Sequence, residues 1–365
     1  MKIFLCGDVM TGRGVDQILP HPGAPALYES YVRDARDYAR LAETAHGPIP
    51  WPVDFSYVWG DALVEMDREG TDVRIINLET AVTESEDYWP DKPVLYRMHP
   101  RNVGCLKAGQ ISCCSLANNH TLDWGYEGLQ ETLRTLDAAG IAHAGAGRDA
   151  AAAATPAALE APGKGRALVF SFGSPTSGVP REWAATVDRP GVNLLEDLSK
   201  ETAHRVAGQM LKGKRPGDVI VASIHWGGNW DYHVPDEQIG FAHHLIDEGV
   251  SIVHGHSSHH VKTIEIYRDR LIFYGCGDFL SDYEGISGYE QFRSDLTLMY
   301  LVDVDPRQGQ VLKARLVPMQ VRRFRLNRAS AEDSQWLCDL LNRLGAPFDT
   351  RAQLGGDYSL TLRRQ

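Results

Sequence analysis

Five apolar runs of strand length in this chain empty into side chains that bind metal ions: Gly7-Asp8, Asn77-Leu78-Glu79, Asn118-Asn119-His120, His225-Trp226-Gly227 and Gly255-His256-Ser257-Ser258-His259. Each reads as a strand running into a loop. Five strand ends can therefore deliver carboxylate, amide and imidazole donors to one edge of one sheet, and a polynuclear metal site is the first hypothesis.

Strand-length apolar runs recur at Ile3–Cys6, Val73–Ile76, Ile111–Leu116, Ala167–Phe172, Val219–Ile224, Val250–Val253, Leu271–Tyr274 and Leu296–Val302. Several are continuous rather than alternating, as in strands buried on both faces, so helices must cover the sheets. Helical periodicity lies between them. Tyr28, Tyr31, Val32, Ala35, Tyr38, Ala39 and Ala42 form one stripe, which predicts a helix of about four to five turns. Leu129, Leu133 and Leu136 run to Gly140, and Phe241, Leu245 and Ile246 run to Gly249, each glycine suited to ending a helix in the left-handed conformation. Strand and helix alternate, so the class is α/β. Residues 20–60, rich in proline and aromatics (Trp51, Phe55, Tyr57, Trp59), interrupt this rhythm beside Asp8. They form either a cap over the site or a helical layer. Asp149–Ala158 reads as a short helix or connector.

With 365 residues, 43% hydrophobic and 23% charged, the chain can bury a full core. A net charge of −11 provides no basic field for nucleic acid or an anionic membrane. The six cysteines show no Cys-x-x-Cys pair, and four fall inside apolar runs, which suits a reducing compartment without disulfides. A charge at Asp8 follows the apolar start too soon for a signal-peptide core, and no run is long enough to span a bilayer. The expectation is a cytoplasmic protein.

Alone, Asp8 and Glu79 are as readily turn residues as ligands. Alternation places Asn77 and Glu79 on one face. Asn118-Asn119-His120 presents two amides and an imidazole that core formation does not require, and Asp123 is placed to fix the tautomer of His120. His254-Gly255-His256-Ser257-Ser258-His259-His260 holds four imidazoles directly after a strand. Oxygen and imidazole donors without cysteine favour Mn, Fe or Zn. Their number suits two divalent ions sharing a bridging carboxylate, an arrangement that activates water for in-line displacement at phosphorus.

The order Gly-Asp-Val-Met, Asn-Leu-Glu-Thr, Ala-Asn-Asn-His-Thr-Leu-Asp-Trp-Gly, His-Trp-Gly, Gly-His-Ser-Ser-His, with Gly275-Cys276-Gly277-Asp278-Phe279, resembles the capsule-synthesis CapA, or poly-γ-glutamate biosynthesis, family of the calcineurin-like metallophosphatase superfamily. The resemblance spans roughly residues 1–320 and implies a four-layer αββα sandwich; residues 20–60 are expected as an insertion near the site and 321–365 as a C-terminal extension packed on the domain. It implies that Asp8 and His259 bind a first metal, that Glu79 bridges, and that Asn119, His225 and His256 bind a second. His120 becomes the proton donor, assisted by Asp123. Asn118, His254 and His260 receive no role. Met10 stands where ordinary metallophosphatases have a histidine, and Asp278 where the family usually has asparagine.

The leading expectation is a phosphomonoesterase acting on a small anionic metabolite, with Arg13 either a substrate contact or a surface salt-bridge residue and Arg97 a surface residue. The second is a component of poly-γ-glutamate or amide-forming synthesis. It requires a partner enzyme, because the chain has no Gly-x-x-x-x-Gly-Lys-Ser/Thr loop for ATP. The third is a non-catalytic binding module of the same fold.

Overall fold

A computed structural model describes residues 1–364. The fold is mixed α/β. Among the described residues, a ten-stranded sheet runs in the order Thr350–Leu354, Leu360–Arg364, Val311–Val321, Leu296–Val304, Lys2–Val9, Val73–Leu78, Cys113–Ser115 and Ala142–Ala144, with Asp278–Leu280 and Leu326–Arg328 paired beside it. A six-stranded sheet runs Ile264–Tyr267, Arg270–Phe273, Ile252–His256, Asp218–His225, Gly165–Gly173 and Ala157–Ala161.

Alternation along the strands shows how the sheets stack. Ile3 and Leu5 join Val169, Val219 and Val221 in one apolar core between the sheets. Phe4 and Cys6 point the other way, into a core with Trp59, Met66 and Leu129 from the helical side. On the second sheet Phe170, Ile220 and Ala222 turn outward against Val206 and Met210 of helix Lys200–Leu211 and Phe241 and Leu245 of helix Asp236–Glu248. Both faces of the central strands are buried, which is why their sequences read as continuous apolar runs.

Gly140 and Gly249 end their helices in the left-handed conformation, as expected. Gly7 plays a different part. The strand runs on through Asp8 to Val9 without a sharp turn, and a Cβ at residue 7 would lie 1.7 Å from the Gly277 carbonyl oxygen. Glycine is required there by a close approach of backbone.

The helix expected from Tyr28 is shorter, Arg36–His46, and buries Tyr38, Ala39 and Ala42. Residues before it close a loop instead: Leu27 N–H donates to Arg33 O, Ala35 N–H to Pro25 O, and Asp34 accepts from Arg36 N–H. Tyr28 stacks on Tyr88 at 4.1 Å. Its apolar spacing serves a ring contact, not a helix face. Within the same 20–60 segment Trp59 is fully buried and donates to Cys105 O, so it belongs to a structural layer. The C-terminal residues are integral to the large sheet, Thr350–Leu354 and Leu360–Arg364 extending it beyond Val311–Val321.

Arg13 fastens the inserted segment to the strand edge. Its guanidinium donates to both carboxylate oxygens of Asp282 at 2.8 and 2.6 Å, to Glu29 at 2.8 Å and to the Tyr38 hydroxyl at 2.9 Å. It lies 3.7 Å from the Tyr38 ring centroid. Glu29 and Tyr38 come from the insertion, and Asp282 follows the strand Asp278–Leu280. The side chain expected to meet substrate is thus buried and engaged in joining two parts of the fold. Arg13→Met strands two buried carboxylates and should cost roughly 3–5 kcal/mol, read as a lower urea midpoint. A variant of unchanged stability with weakened substrate binding would restore the substrate-contact reading.

Candidate metal centre

Parallel register brings the donors together. In the large sheet Asp8 stands opposite Asn77 on one side and Asp278 on the other. In the second sheet Ser223 pairs with His254 and, two residues further along, His225 with His256. Side chains two residues apart share a strand face, so Ser223, His225, His254 and His256 all face the same way. The ends of both sheets meet there: one donor atom from each of Asp8, His225 and His256 lies within 4.8 Å of the others, and all three residues are buried.

The carboxylates crowd one another. Asp8 accepts from Asn77 Nδ2 at 2.7 Å and from Ser257 N–H at 3.1 Å. Ser257 holds φ at +104°, a sparsely populated conformation for a residue with a side chain. Burial first, and then the charge of Asp278, push the Asp8 carboxyl up to about 7. Burial and the charge of Asp8 hold Glu79 well above the usual carboxylate range. Asp278 Oδ1 meets His259 Nδ1 at 2.9 Å, while its Oδ2 is buried without a partner. Burial opposes a charge on His259, but Asp278 outweighs it and raises the imidazole.

The imidazoles face a matching problem. His225 Nε2 lies 3.0 Å from Asn119 Oδ1 and 3.7 Å from Glu79 Oε1, and its Nδ1 lies 2.9 Å from His256 Nδ1. Burial holds both rings well below the usual imidazole range, so they are neutral. The Nδ1 atoms of the two neutral rings face each other, so at most one of them can carry a proton there and the other is a bare lone pair. Together with the orphaned Asp278 oxygen and the crowded carboxylates, this is the chemistry that a divalent cation satisfies. The donor set fits a metal.

His120 stands at the rim. Its Nδ1 lies 2.6 Å from Asp123 Oδ2, and its Nε2 lies 3.8 Å from Glu79 Oε1. Burial pushes its pKa down to about 4, with Asp123 opposing and Lys92 assisting. Asp123 also accepts from Tyr96 N–H at 2.6 Å and pairs with Lys92 Nζ at 2.5 Å. A cleft of about 480 Å³ opens here, lined by Lys92, Asn119, His120, Asn229, His259 and Tyr283. A second, of about 490 Å³, shares Asn229, His259 and Tyr283 and extends past Trp230, Tyr289 and Tyr31. Arg97 is placed elsewhere, over the Trp124 ring. From the insertion, Tyr31 and His46 line the second cleft.

The structure gathers Asp8, Glu79, Asn119, His120, Asp123, His225, His256 and His259 around this point. Lys92, Asn77, Asn118 and Ser223 are further participants. Asn118 Nδ2 donates to Asn77 Oδ1 at 3.0 Å and so carries the amide chain toward Asp8. Asn118 had a signal in its motif. Lys92 had none, since Trp89-Pro90-Asp91-Lys92-Pro93 is an aperiodic loop and only the fold returns it to Asp123.

Comparison with known proteins agrees with these motifs. The model of the bacterial capsule synthesis protein PGA_cap matches residues 2–283. A probable polyglutamine synthesis accessory protein of Mycobacterium tuberculosis is 50% identical over 352 residues, covering 96% of this chain and 93% of its own. The PGA biosynthesis protein CapA of Bacillus subtilis is 26% identical over 295 residues, 80% of this chain and 66% of its own. The crystal structure of TT1561 of Thermus thermophilus covers 88% of this chain and 99% of its own at 10% identity, but its TM-score of 0.37 is too low to carry an argument. By its motifs, its family match and its mycobacterial relative, the chain belongs to the bacterial capsule synthesis PGA_cap family.

Proposed function

We propose that this chain is an accessory component of poly-glutamate-type synthesis that carries a hydrolytic centre with two divalent ions, Mn, Fe or Zn. The observation that carries this reading is the convergence of Asp8, Glu79, Asn119, His225, His256 and His259 beside His120, in a chain whose mycobacterial relative is named an accessory of polyglutamine synthesis. Of the functions read from the sequence, the relatives favour the biosynthetic role over a free-standing phosphatase of small metabolites. The stacked sheets with helices on their outer faces support the four-layer αββα arrangement.

In this reading Asp8, Asp278 and His259 hold one ion, Asn119, His225 and His256 the other, and Glu79 lies between. Bound there, the ions would supply Lewis acidity and a water activated for attack. His120, held by Asp123 through Nδ1, turns Nε2 toward the reacting group and passes the proton to or from it. Lys92, paired with Asp123 at 2.5 Å and 3.0 Å from His120 Nδ1, steadies the His120–Asp123 pair at the edge of the cleft. The second cleft carries Glu284, Glu290 and Asp295, and its two arginines are already engaged, Arg13 with Glu29 and Asp282 and Arg293 with Asp295. It is unsuited to a long polyanion, so the substrate presents one end or one short acidic unit.

All six cysteines are free and buried, which supports a reducing compartment, and no helix among the described residues is long and apolar enough to cross a membrane. ATP-driven ligation is assigned to a partner enzyme.

Polymer yield from a glutamate-ligating enzyme, measured with the chain, without it, and with Glu79→Gln, tests the proposal. Added chain should raise yield or change product length, and Glu79→Gln should not. Phosphate release from metabolites without any effect on polymer would favour the phosphatase reading.

His120→Ala should lower turnover about a hundredfold or more on substrates with poor leaving groups, less on activated aryl esters, with metal content kept. Equal losses on both substrate types would contradict the proton-transfer role.

The raised Asp8 carboxyl also predicts a pH dependence. A buried acid whose folded pKa exceeds the unfolded value of 3.8 adds stability below that value and loses it as pH rises through about 7. The metal-free protein should therefore melt lower at pH 8 than at pH 5, and added Mn or Zn should raise Tm more at pH 8. A metal-induced rise in Tm independent of pH would contradict the assignment of Asp8.

A further inference from the structure

Ser223 and His254 lie deep between the sheets, behind the centre, and the hydrogen bonds around them run in one direction only. His254 Nε2 is 2.7 Å from Cys6 O, a carbonyl that can only accept, so this nitrogen carries the proton. His254 is fully buried and has no carboxylate partner among the described residues, so its ring is neutral and its Nδ1 is bare. Ser223 Oγ lies 3.1 Å from that Nδ1 and must donate its hydrogen there. Having spent its only hydrogen, the same oxygen can only accept from His256 Nε2, 2.9 Å away. His256 Nε2 is therefore protonated and its Nδ1 is bare, on the side where Asp8 Oδ1 stands at 3.8 Å and His225 Nδ1 at 2.9 Å. Ser115 Oγ donates to Ser223 at 2.8 Å and completes the oxygen's acceptor capacity without changing the direction of the chain.

We propose that Ser223 and His254 are positioning residues that lock His256 in the Nε2–H tautomer, so that its Nδ1 lone pair is permanently presented as a metal donor. The relay begins at the Cys6 carbonyl, two residues before Asp8 on the same strand. One strand of the large sheet thus supplies a carboxylate to the site directly and sets the protonation of an imidazole on the other sheet. Parallel register makes this possible: Ser223 stands opposite His254, and His225 opposite His256. The inference rests on the reading of His256 as a ligand for its metal-affinity consequence, whereas the tautomer itself is a property of the metal-free chain.

The test is long-range ¹H–¹⁵N correlation of the histidine rings in full-length metal-free protein, alongside Zn titration against a competing chelator. Wild type should show His256 protonated at Nε2 alone. His254→Phe frees the Ser223 hydroxyl to donate to His256 Nε2, so the tautomer should switch to Nδ1–H. Ser223→Ala should leave the two tautomers mixed. Each should weaken Zn binding about tenfold to a hundredfold, the usual loss when an outer partner of a metal-binding histidine is removed. Ser115→Ala removes a hydrogen bond to the same oxygen but not the direction of the relay, and should leave tautomer and affinity within about twofold of wild type. An Nδ1–H ring in the wild type, or an unchanged tautomer in His254→Phe, overturns the proposal. So does a loss in Ser115→Ala equal to that in Ser223→Ala, which would mark a purely structural role. Should Ser223→Ala fail to fold, His254→Phe decides. If wild type binds no Zn while its His256 tautomer is as stated, the metal reading fails and the relay stands.

Discussion

Three carboxylates buried at one point are the constraint around which this molecule is arranged. Asp8, Glu79 and Asp278 meet where two sheets end, and burying like charges together is among the more costly things a fold can do. The cluster eases by raising the proton affinity of Asp8 and Glu79 and by setting His259 against Asp278. Those are the groups a metal would engage. The neutral His225 and His256 show the same logic on the nitrogen side, where burial keeps two lone pairs available and close.

The surrounding architecture keeps that strain from spreading. Alternation along each central strand divides its apolar side chains between an inner core shared by the sheets and an outer core under helices. The strand ends are thereby clamped on both faces. Arg13 adds an ionic clasp between the insertion and the segment after Asp278, and the Gly277 backbone lies so close to residue 7 that only glycine fits. Near the site polar groups enter the space between the sheets, through Ser115, Ser171, Ser223 and His254, and pair across the gap. A polar line so fully paired orients its members more tightly than apolar contact would.

Much of this was legible in the sequence, because strand periodicity and ligand chemistry are local properties. The apolar runs ending in Asp8, Glu79, His225 and His256 indicated both the class of fold and the edge where donors meet. What was not legible depends on long-range return of the chain. The stripe from Tyr28 to Val32 has helical spacing, yet Tyr28 finds Tyr88 and the loop closes on its own backbone. Arg13 read equally as an anion contact or a salt-bridge residue, and nothing local shows that Asp282, almost the whole family match away, will come back to it. Lys92 lies in a loop without pattern and acquires meaning only beside Asp123. His254 looked like one more imidazole in a rich run, and its role required knowing that Cys6 O would stand opposite.

The outer rim is where the chain can change without disturbing the centre. Deep donors are fixed by register and by a directed hydrogen-bond chain, so they leave little room for variation. At the rim, Lys92, Tyr31, Trp230 and Tyr289 sit on loops and on the insertion, where changes do not disturb strand pairing. In the proposed reading, the acidic lining of the outer cleft limits how much of an acidic polymer can lie there at once. On that same reading, a centre built this way acts on an end or a junction, not along a chain. That is the kind of step at which an accessory protein can govern synthesis carried out by another enzyme.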